Sequence, residues 1–326
     1  MQNTYLKTAF GILLLVPLFF VSCDKNDSGT GTVLKNDCIK RSLGPNVAGQ
    51  SIEFAYAMAL PYNGGKILSA SVTANIAGAA GTYMDNRSFY TNSSGVDVGV
   101  VVGSASVTSG TETKVTFTVD TCASTLRYIY IIPNEAKGKD VSFVFSSEGS
   151  TGEKVSYEMG PYPVSMMDMK LDIPVSDNNL CYISIADMAA YNAADAASKA
   201  SQIDLVYLYR SITGISFEHA FVSPAATEYL PGVTLPSGVN RSTLIRKAYS
   251  LQDRHLARLQ YGIYIDDVDF QQIDMSNMPN YAINMKVDSG MWIETADGVY
   301  RAYIYVNSVN NAGKSAVISM KRYKMK

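Results

Sequence analysis

"SIEFAYAMAL", Ser51 to Leu60, decides the fold. Phe54, Tyr56, Met58 and Leu60 alternate with small or polar residues, so an extended chain places four apolar side chains on one face and leaves the other to water. The same grammar continues in "GKILSASVTANIAG", "GVDVGVVVG", "TKVTFTVD", "LRYIYIIP", "DVSFVFSSEG" and "EKVSYEMG", separated by turns rich in Gly, Asn and Ser. Val115, Phe117 and Val119 alternate with Thr, and Val141, Phe143 and Phe145 alternate in part with Ser. Short alternating strands at close spacing predict an antiparallel, Ig-like β-sandwich over residues 38–162.

The pattern changes at "MGPYPVSMMDMK", Met159 to Lys170, where two prolines punctuate the chain. Residues 163–326 read as a mixed α+β domain, which makes the fold class α+β. Met188 to Ala200 is Ala-rich without Gly or Pro, and Asp187 is placed to cap it as a helix. "STLIRKAYSLQDRHLARLQYG" carries Leu244, Ile245, Ala248, Leu251, His255, Leu256 and Leu259 at three- and four-residue spacings, the pattern of an amphipathic helix ending at Gly262. Leu205–Tyr209 and "SFEHAFVSP" read as strands, and Asp297-Gly298 signals a hairpin near the end.

The opposite end of the chain carries an address. "FFVSCDKND", Phe19 to Asp27, closes an apolar run from Ala9 to Val21, shorter than the roughly 20 residues of a membrane span. The run fits an export signal over residues 1–22. Phe20-Val21-Ser22-Cys23 resembles a bacterial lipobox, with Phe20 in place of the usual leucine, which implies lipidation of Cys23. Acyl chains contribute about 0.8 kcal/mol per buried methylene, enough for two or three of them to hold a protein at a membrane. Residues 23–37, with Asp24, Lys25 and a Ser/Gly/Thr stretch, read as a flexible tether. The Lys/Asp mixture after the cysteine resembles the surface-export signal of Bacteroidota lipoproteins. It places the protein on the outer membrane, facing out; the alternative is a periplasm-facing lipoprotein.

Composition sets further bounds. Hydrophobic residues make up 47% of the chain, ample for packed cores. Removing residues 1–22 takes away Lys7 alone, leaving 26 basic against 29 acidic residues, a net charge of −3 that argues against nucleic acid as a partner. Beyond Cys23 the cysteines are Cys38, Cys122 and Cys181, an odd number without metal-site spacing; they read as small buried hydrophobes, with one disulfide left open.

The chemistry-bearing motifs are sparse. The two histidines, His219 and His255, form no HExxH or HxH pair, and the chain has no GxSxG elbow, SxxK or P-loop. A pair of carboxylates distant in sequence would still suit a hydrolase. Asp266, Asp267 and Asp269 are spaced closely enough to hold a Ca²⁺ ion, although the EF-hand glycine and glutamate are missing; the alternative is a solvated turn. Trp292, Tyr303 and Tyr305 offer an aromatic platform on which a sugar could stack. The alternative is a hairpin core, because aromatic residues favour strands.

"YISIADMAAYNAADAASKASQIDLVYLYR", "ARLQYGIYIDDVDF" and "NYAINMKVDSGMWIETADGVYRAYIYVNSV" resemble a family of uncharacterised Bacteroides surface lipoproteins. The resemblance implies an accessory of SusC/SusD-type outer-membrane uptake systems, binding or scaffolding a glycan or peptide. It carries no catalytic residues. The alternatives are a surface hydrolase of the same nutrient and an adhesion or fimbrial subunit.

Overall fold

Alternation becomes a strand wherever one face of the chain is buried and the other is wet. In the computed structural model, which describes residues 33–326, this holds along the first half of the chain. Its strands are β1 (Lys35–Lys40), β2 (Ser51–Ala59), β3 (Ile67–Ala74), β4 (Tyr83–Asp85), β5 (Arg87–Thr91), β6 (Asp97–Val101), β7 (Val107–Ser109), β8 (Glu112–Thr116), β9 (Ala123–Ile131), β10 (Asp140–Gly149) and β11 (Lys154–Pro163). They form an antiparallel sandwich of two sheets, ordered β1-β2-β9-β4 and β11-β10-β3-β8-β7, with β5 and β6 as a separate two-stranded ribbon. Along β2, Ile52, Phe54, Tyr56 and Met58 are buried and the residues between them are not. Phe54 meets Phe143 and Phe145 of the facing sheet edge-on, with ring centroids 4.8 and 5.2 Å apart. Each such pair adds about 0.5–1.5 kcal/mol beyond the area it buries.

The sandwich starts earlier than the sequence suggests. Leu34 is in the core, and Lys35, Asn36 and Asp37 pair with Ala59, Met58 and Ala57, so the end of the stretch read as tether is already strand. Cys23 and the rest of the tether lie outside the described residues, as does the signal segment.

The second half contains β12 (Asp168–Ser176), β13 (Tyr182–Ser184), β14 (Ala189–Tyr191), α1 (Ala193–Ser198), β15 (Leu205–Ile212), β16 (Ile215–Val222), β17 (Leu244–Tyr249), α2 (Arg254–Ala257), α3 (Asp267–Gln272), β18 (Tyr281–Met285), β19 (Ser289–Glu294), β20 (Tyr300–Asn310) and β21 (Ser315–Lys324). It too is built on two antiparallel sheets, β12-β21-β20-β19-β17 and β14-β13-β15-β16-β18, facing each other across a core that includes Tyr207, Phe221, Ile293, Ile304 and Ile318. The expected α+β mixture is present, with sheets dominant and helices short. Among the described residues no helix is long and apolar enough to cross a membrane.

Both expected long helices are replaced. Asp187 caps nothing; its carboxylate takes Lys199 and the Tyr191 hydroxyl, and Asn192 caps α1 by accepting from Asp195 N–H. The stretch from Ser242 to Tyr261 becomes β17 and the single turn α2. Strand β17 pairs with β19 from Leu244↔Glu294 to Tyr249↔Ser289, and sheet pairing overrides helical spacing. Gly262 ends no helix: its φ of +134° lets the chain pass where a Cβ would meet Gln252 O at 2.5 Å.

The segment from Leu251 to Met278 then folds over the outer face of the β12–β21–β20–β19–β17 sheet and makes a third core. Leu256, Ile265, Phe270 and Met275 pack there against Trp292, Tyr303 and Tyr305. Val47 from the first sandwich and Met167 from the connection join the same core. The proline-flanked connection is therefore no exposed linker, since Val164 and Met167 are buried, and residues 33–326 lie in one compact unit.

Candidate functional site

Where the sandwiches meet, three loops enclose a groove of about 770 Å³. The first follows β1 and includes Gly44, Pro45 and Asn46. The second is the crossing from β11, Tyr162 to Ser165. The third leads into α3, Tyr264 to Val268. Each loop is fixed by specific contacts. Gly44 has φ +80°, and a Cβ there would sit 2.5 Å from the Tyr264 ring, so only glycine lets the first loop lie against that ring. Asn46 bridges to Val164 in parallel fashion, its Nδ2 donates to Pro163 O at 2.9 Å, and Ser165 N–H donates to Asn46 O at 2.8 Å. Asp267 reaches back across the seam, accepting from the Ser165 hydroxyl and from Met166 N–H at 2.9 Å.

The groove mixes apolar rings with a few charges. Tyr162 and Tyr264 are both half-buried, one from each sandwich, and among the described residues neither hydroxyl is hydrogen-bonded to the protein. Lys40 Nζ lies 5.7 Å from the centre of the Tyr162 ring and donates to Ser42 O at 2.6 Å. Burial pushes its ammonium below the usual lysine range, because the charged form loses water there. The guanidinium of Arg254 stands 4.9 Å from the Tyr264 ring centre, and the His255 ring meets it edge-on at 4.8 Å.

The three aspartates foreseen as a Ca²⁺ site are divided between other tasks. Asp266 caps α3, accepting from Val268 N–H at 2.9 Å and Asp269 N–H at 3.2 Å, while Asp269 accepts in return from Asp266 N–H. This reciprocal capping box satisfies helix-end donors. Asp267 is tied to the seam. The carboxylates do not converge, and among the described residues no group of three or more His, Cys, Asp or Glu gathers as metal ligands.

Trp292, Tyr303 and Tyr305 form no open platform. Tyr303 and Tyr305 do share a face, but it is the face covered by the Leu251–Met278 segment, and all three side chains are buried. Tyr303 OH donates to Leu251 O at 2.6 Å, Tyr305 OH donates to Asp288, and Phe270 packs edge-on to Trp292 at 5.3 Å. Sheet propensity and burial together make them core.

Two further polar clusters have the residue types of catalytic sites and the enclosure of structural ones. Asp253 and Lys321 form a fully buried ion pair at 2.6 Å; Asp253 also accepts from Leu256 N–H and Ile265 N–H, and Lys321 donates to Ile265 O. His219 is buried between Tyr207 and Asn311. Its Nε2 donates to Asn311 Oδ1 at 2.9 Å, which leaves Nδ1 to accept from Tyr207 OH at 2.6 Å. Asp253, Lys321, His219 and Tyr207 are all buried and each is hydrogen-bonded to the protein, the arrangement of polar groups that hold a core together. Among the described residues Cys38, Cys122 and Cys181 are free thiols, and burial pushes Cys38 up to about 12 and Cys181 up to about 11, so neither of these two supplies a thiolate nucleophile.

The groove itself was missed by sequence reasoning except at Asp266 and Asp267. Tyr162 and Tyr264 are about a hundred residues apart, and the signals that frame the site are Gly44, Pro45 and Pro163 in loops that meet only in the fold.

Comparison with known proteins places this geometry in a family. Residues 31–164 match a domain of unknown function, DUF4466, and residues 165–325 match another, DUF8576. The two matches divide at the seam that holds the groove. Curated proteins give no match. A DUF4466 family protein from Parabacteroides merdae, known from its crystal structure, is 50% identical, with 90% of this chain and 99% of that chain aligned and a TM-score of 0.85. The major pilin subunit BcpA of Bacillus cereus aligns over 86% of this chain and 62% of its own at 9% identity with a TM-score of 0.29, too distant to bear on fold or role. With half its residues shared along nearly the whole Parabacteroides merdae protein, the chain belongs to the DUF4466 family.

Proposed function

We propose that the chain is a lipid-anchored protein of the outer-membrane surface that binds its ligand without transforming it, as an accessory capture or scaffold component beside a SusC/SusD-like pair. The observation that carries the binding role is the groove. Its volume of about 770 Å³ falls within the range of small-molecule sites, and it sits at a domain junction, where such sites concentrate. The lipobox-like Phe20-Val21-Ser22-Cys23 supports the anchor, and the Parabacteroides merdae relative supports a link to the Bacteroidota. A tether that short has a reach on the order of 20 Å. Confinement of that kind raises the effective concentration of neighbouring membrane proteins, so weak contacts suffice for assembly.

The test is fractionation followed by capture. The parent is expected in the outer membrane and, after detergent extraction, to bring down a SusC/SusD-like pair while releasing no product from glycans or peptides. Cys23→Ala is expected in the soluble fraction or unprocessed. A membrane-bound, acylated Cys23→Ala protein would overturn the anchor. Recovery of the parent alone with steady product release would replace the binder by a surface hydrolase, and co-recovery of pilus-type subunits would replace it by an adhesion component.

A further inference from the structure

We infer that two copies of the chain pair through the outer edge of strand β6 (Asp97–Val101), continuing one sheet across a two-fold axis at Gly99. The hydrogen-bonding order of the β5–β6 ribbon is fixed at both ends. Asn92 N–H donates to Val96 O at 2.9 Å, and Val102 N–H donates to Asn86 O at 3.0 Å. Bonded and non-bonded pairs alternate along an antiparallel ladder. Val98 and Val100 therefore turn their N–H and C=O toward Tyr90 and Ser88 of β5, while Asp97, Gly99 and Val101 turn theirs away. Strand β6 pairs with β5 alone, so this second row of donors and acceptors faces no strand among the described residues. Edge strands that face water are normally guarded by lysine, proline or a bulge. Strand β6 has none of these: it reads Asp-Val-Gly-Val-Val, and its register with β5 is unbroken. Val100 and Val101 are exposed, as are Tyr90 and Val96 beside them.

The ribbon is pinned to β9. Thr125 N–H donates to Ser88 Oγ at 3.1 Å, the Arg127 guanidinium lies 3.8 Å from the centre of the Phe89 ring, and Asp97 is paired with Arg127. The edge is thus held in shape before a partner arrives, which spares the cost of ordering it. The occupant it fits is the same strand of a second copy. With Gly99 opposite the partner's Gly99, Asp97 faces the partner's Val101, and Val101 faces the partner's Asp97. These three facing pairs exchange two main-chain hydrogen bonds each, so every outward donor and acceptor of β6 is used. Val98 and Val100 then meet the partner's Val100 and the partner's Val98 on one face, the β-branched cross-strand contact that stabilises sheets. No like charges oppose each other, because Asp97 and the partner's Asp97 stand at opposite ends of the paired stretch. A foreign strand would have to match the glycine, the valines and the charge placement that β6 supplies to itself. Two strands of five residues bury less than the roughly 1,200 Å² of a stable interface, so the pair is expected to form and separate with concentration.

The experiment places thiols across the pair in the full chain expressed in cells. Val98 and the partner's Val100 form a non-bonded pair with Cα atoms about 4.5 Å apart, within the roughly 4.4–6.8 Å that a disulfide spans. Val100 and the partner's Val100 are diagonal neighbours about 7–8 Å apart. Co-expressed Val98→Cys and Val100→Cys chains are therefore expected, on mild oxidation, to give a disulfide-linked species of twice the chain's mass, several-fold more than either variant alone. Adding Val101→Pro to both chains removes one outward N–H from each and spares the ladder to β5. By symmetry two hydrogen bonds are lost, and the cross-linked fraction is expected to fall about tenfold. Val100→Lys charges the edge at an exposed position and adds no thiol. In sedimentation of the detergent-solubilised full chain at several detergent-to-protein ratios, the parent is expected to gain mass with concentration and Val100→Lys to stay monomeric. The inference is overturned if no cross-link forms, if the single variants cross-link as well as the mixture, or if Val101→Pro and Val100→Lys associate as the parent does. It is also overturned if the thiols join β6 to a different protein, which would make the edge a docking strand for a foreign chain.

Discussion

The first sandwich buries each of its sheets on one side, whereas the second buries one of its sheets on both. In β2, β9 and β10 the buried and unburied positions alternate almost residue by residue. In β19 five successive residues, Ser289 to Ile293, are buried, and in β20 the run is Ala302 to Val306. The inner-facing members of these runs, such as Ile293 and Ile304, meet the opposing sheet. The outer-facing ones, Trp292, Tyr303 and Tyr305, meet the Leu251–Met278 cover. A sheet with a wet face needs only alternation, but a sheet with two dry faces also needs a lid and something to hold it. Here that something is polar: Asp253 in the cover and Lys321 in the sheet, both wholly enclosed.

The largest effects should come from breaking each half at its own centre. Phe54→Ala removes the ring at the middle of the first core and is expected to cost about 3–5 kcal/mol. Asp253→Ala leaves the Lys321 ammonium buried without a counter-charge and frees two N–H groups; about 3–5 kcal/mol is again expected. The two losses should look different. Trp292 is the chain's one tryptophan and lies under the cover, so its fluorescence reports the lid, while far-UV circular dichroism reports both sandwiches. In urea, Asp253→Ala should move the Trp292 transition to lower denaturant than the circular dichroism transition. Phe54→Ala should move both together, because Val47 ties the first sandwich into the third core. Coincident transitions in Asp253→Ala would mean that the lid is no separate unit, and an unmoved Trp292 transition in Phe54→Ala would mean that the seam transmits nothing. Lys321→Met should cost less than Asp253→Ala, since Asp253 keeps its two N–H donors.

The same contrast explains what the sequence made legible. Strands β2, β9 and β10 could be read because water on one face enforces period two. Strand β17 could not: Ile245 faces the inner core while Leu244 and Ala248 pack toward the cover, and Leu251 of the cover itself follows, so apolar residues on both faces leave spacings of three and four that imitate a helix. Tyr303 and Tyr305 share a face by strand alternation, but nothing local shows that the segment from Leu251 to Met278 would cover it. The acidic cluster was visible as composition and invisible as geometry, because a capping box and a seam contact depend on where α3 starts and what lies beside it. The groove depends on three loops far apart in sequence and has no periodicity of its own.

A middle-sized effect should appear where the two halves touch. Gly44 and Gly49 have nearly the same left-handed backbone, φ +80° and +82°. A Cβ at Gly44 meets the Tyr264 ring at 2.5 Å, whereas one at Gly49 meets nothing within 4 Å. Gly49→Ala should therefore cost only the backbone penalty, about 1 kcal/mol. Gly44→Ala should add an overpacking cost of about 1–3 kcal/mol and weaken any ligand bound in the groove. Equal losses in the two variants would show that the first loop does not press on Tyr264 in solution, and the seam would then be looser than the contact implies.

The smallest effect should be a pH dependence that separates the lid from the sandwich beneath it. His255 lies at the edge of the cover beside Tyr264, and its Nδ1 is buried without a partner. Burial first, then the charges of Lys321 and Arg254, push its imidazole down to about 4 from an ordinary 6.5, with Asp253 opposing. Between those values the unfolded chain binds a proton that the folded chain refuses, so stability rises with pH across the window. The contribution is complete above 6.5 and is lost as the pH falls toward 4. Asp204, buried in the second sandwich against Arg241, works the other way. Burial pushes its carboxyl up to about 6, and its part of the stability falls as the pH rises from its ordinary 3.8 to that value. The two partly cancel in the parent, so the lid's share emerges only by difference. His255→Asn removes the imidazole titration and leaves Asp204 untouched. Urea midpoints followed by Trp292 fluorescence from pH 7.5 to 4.5 should therefore fall more steeply with acid in the parent than in His255→Asn. Parallel curves would mean that His255 reaches water in solution, and that the lid is held by the Asp253–Lys321 pair without a dry edge beside it.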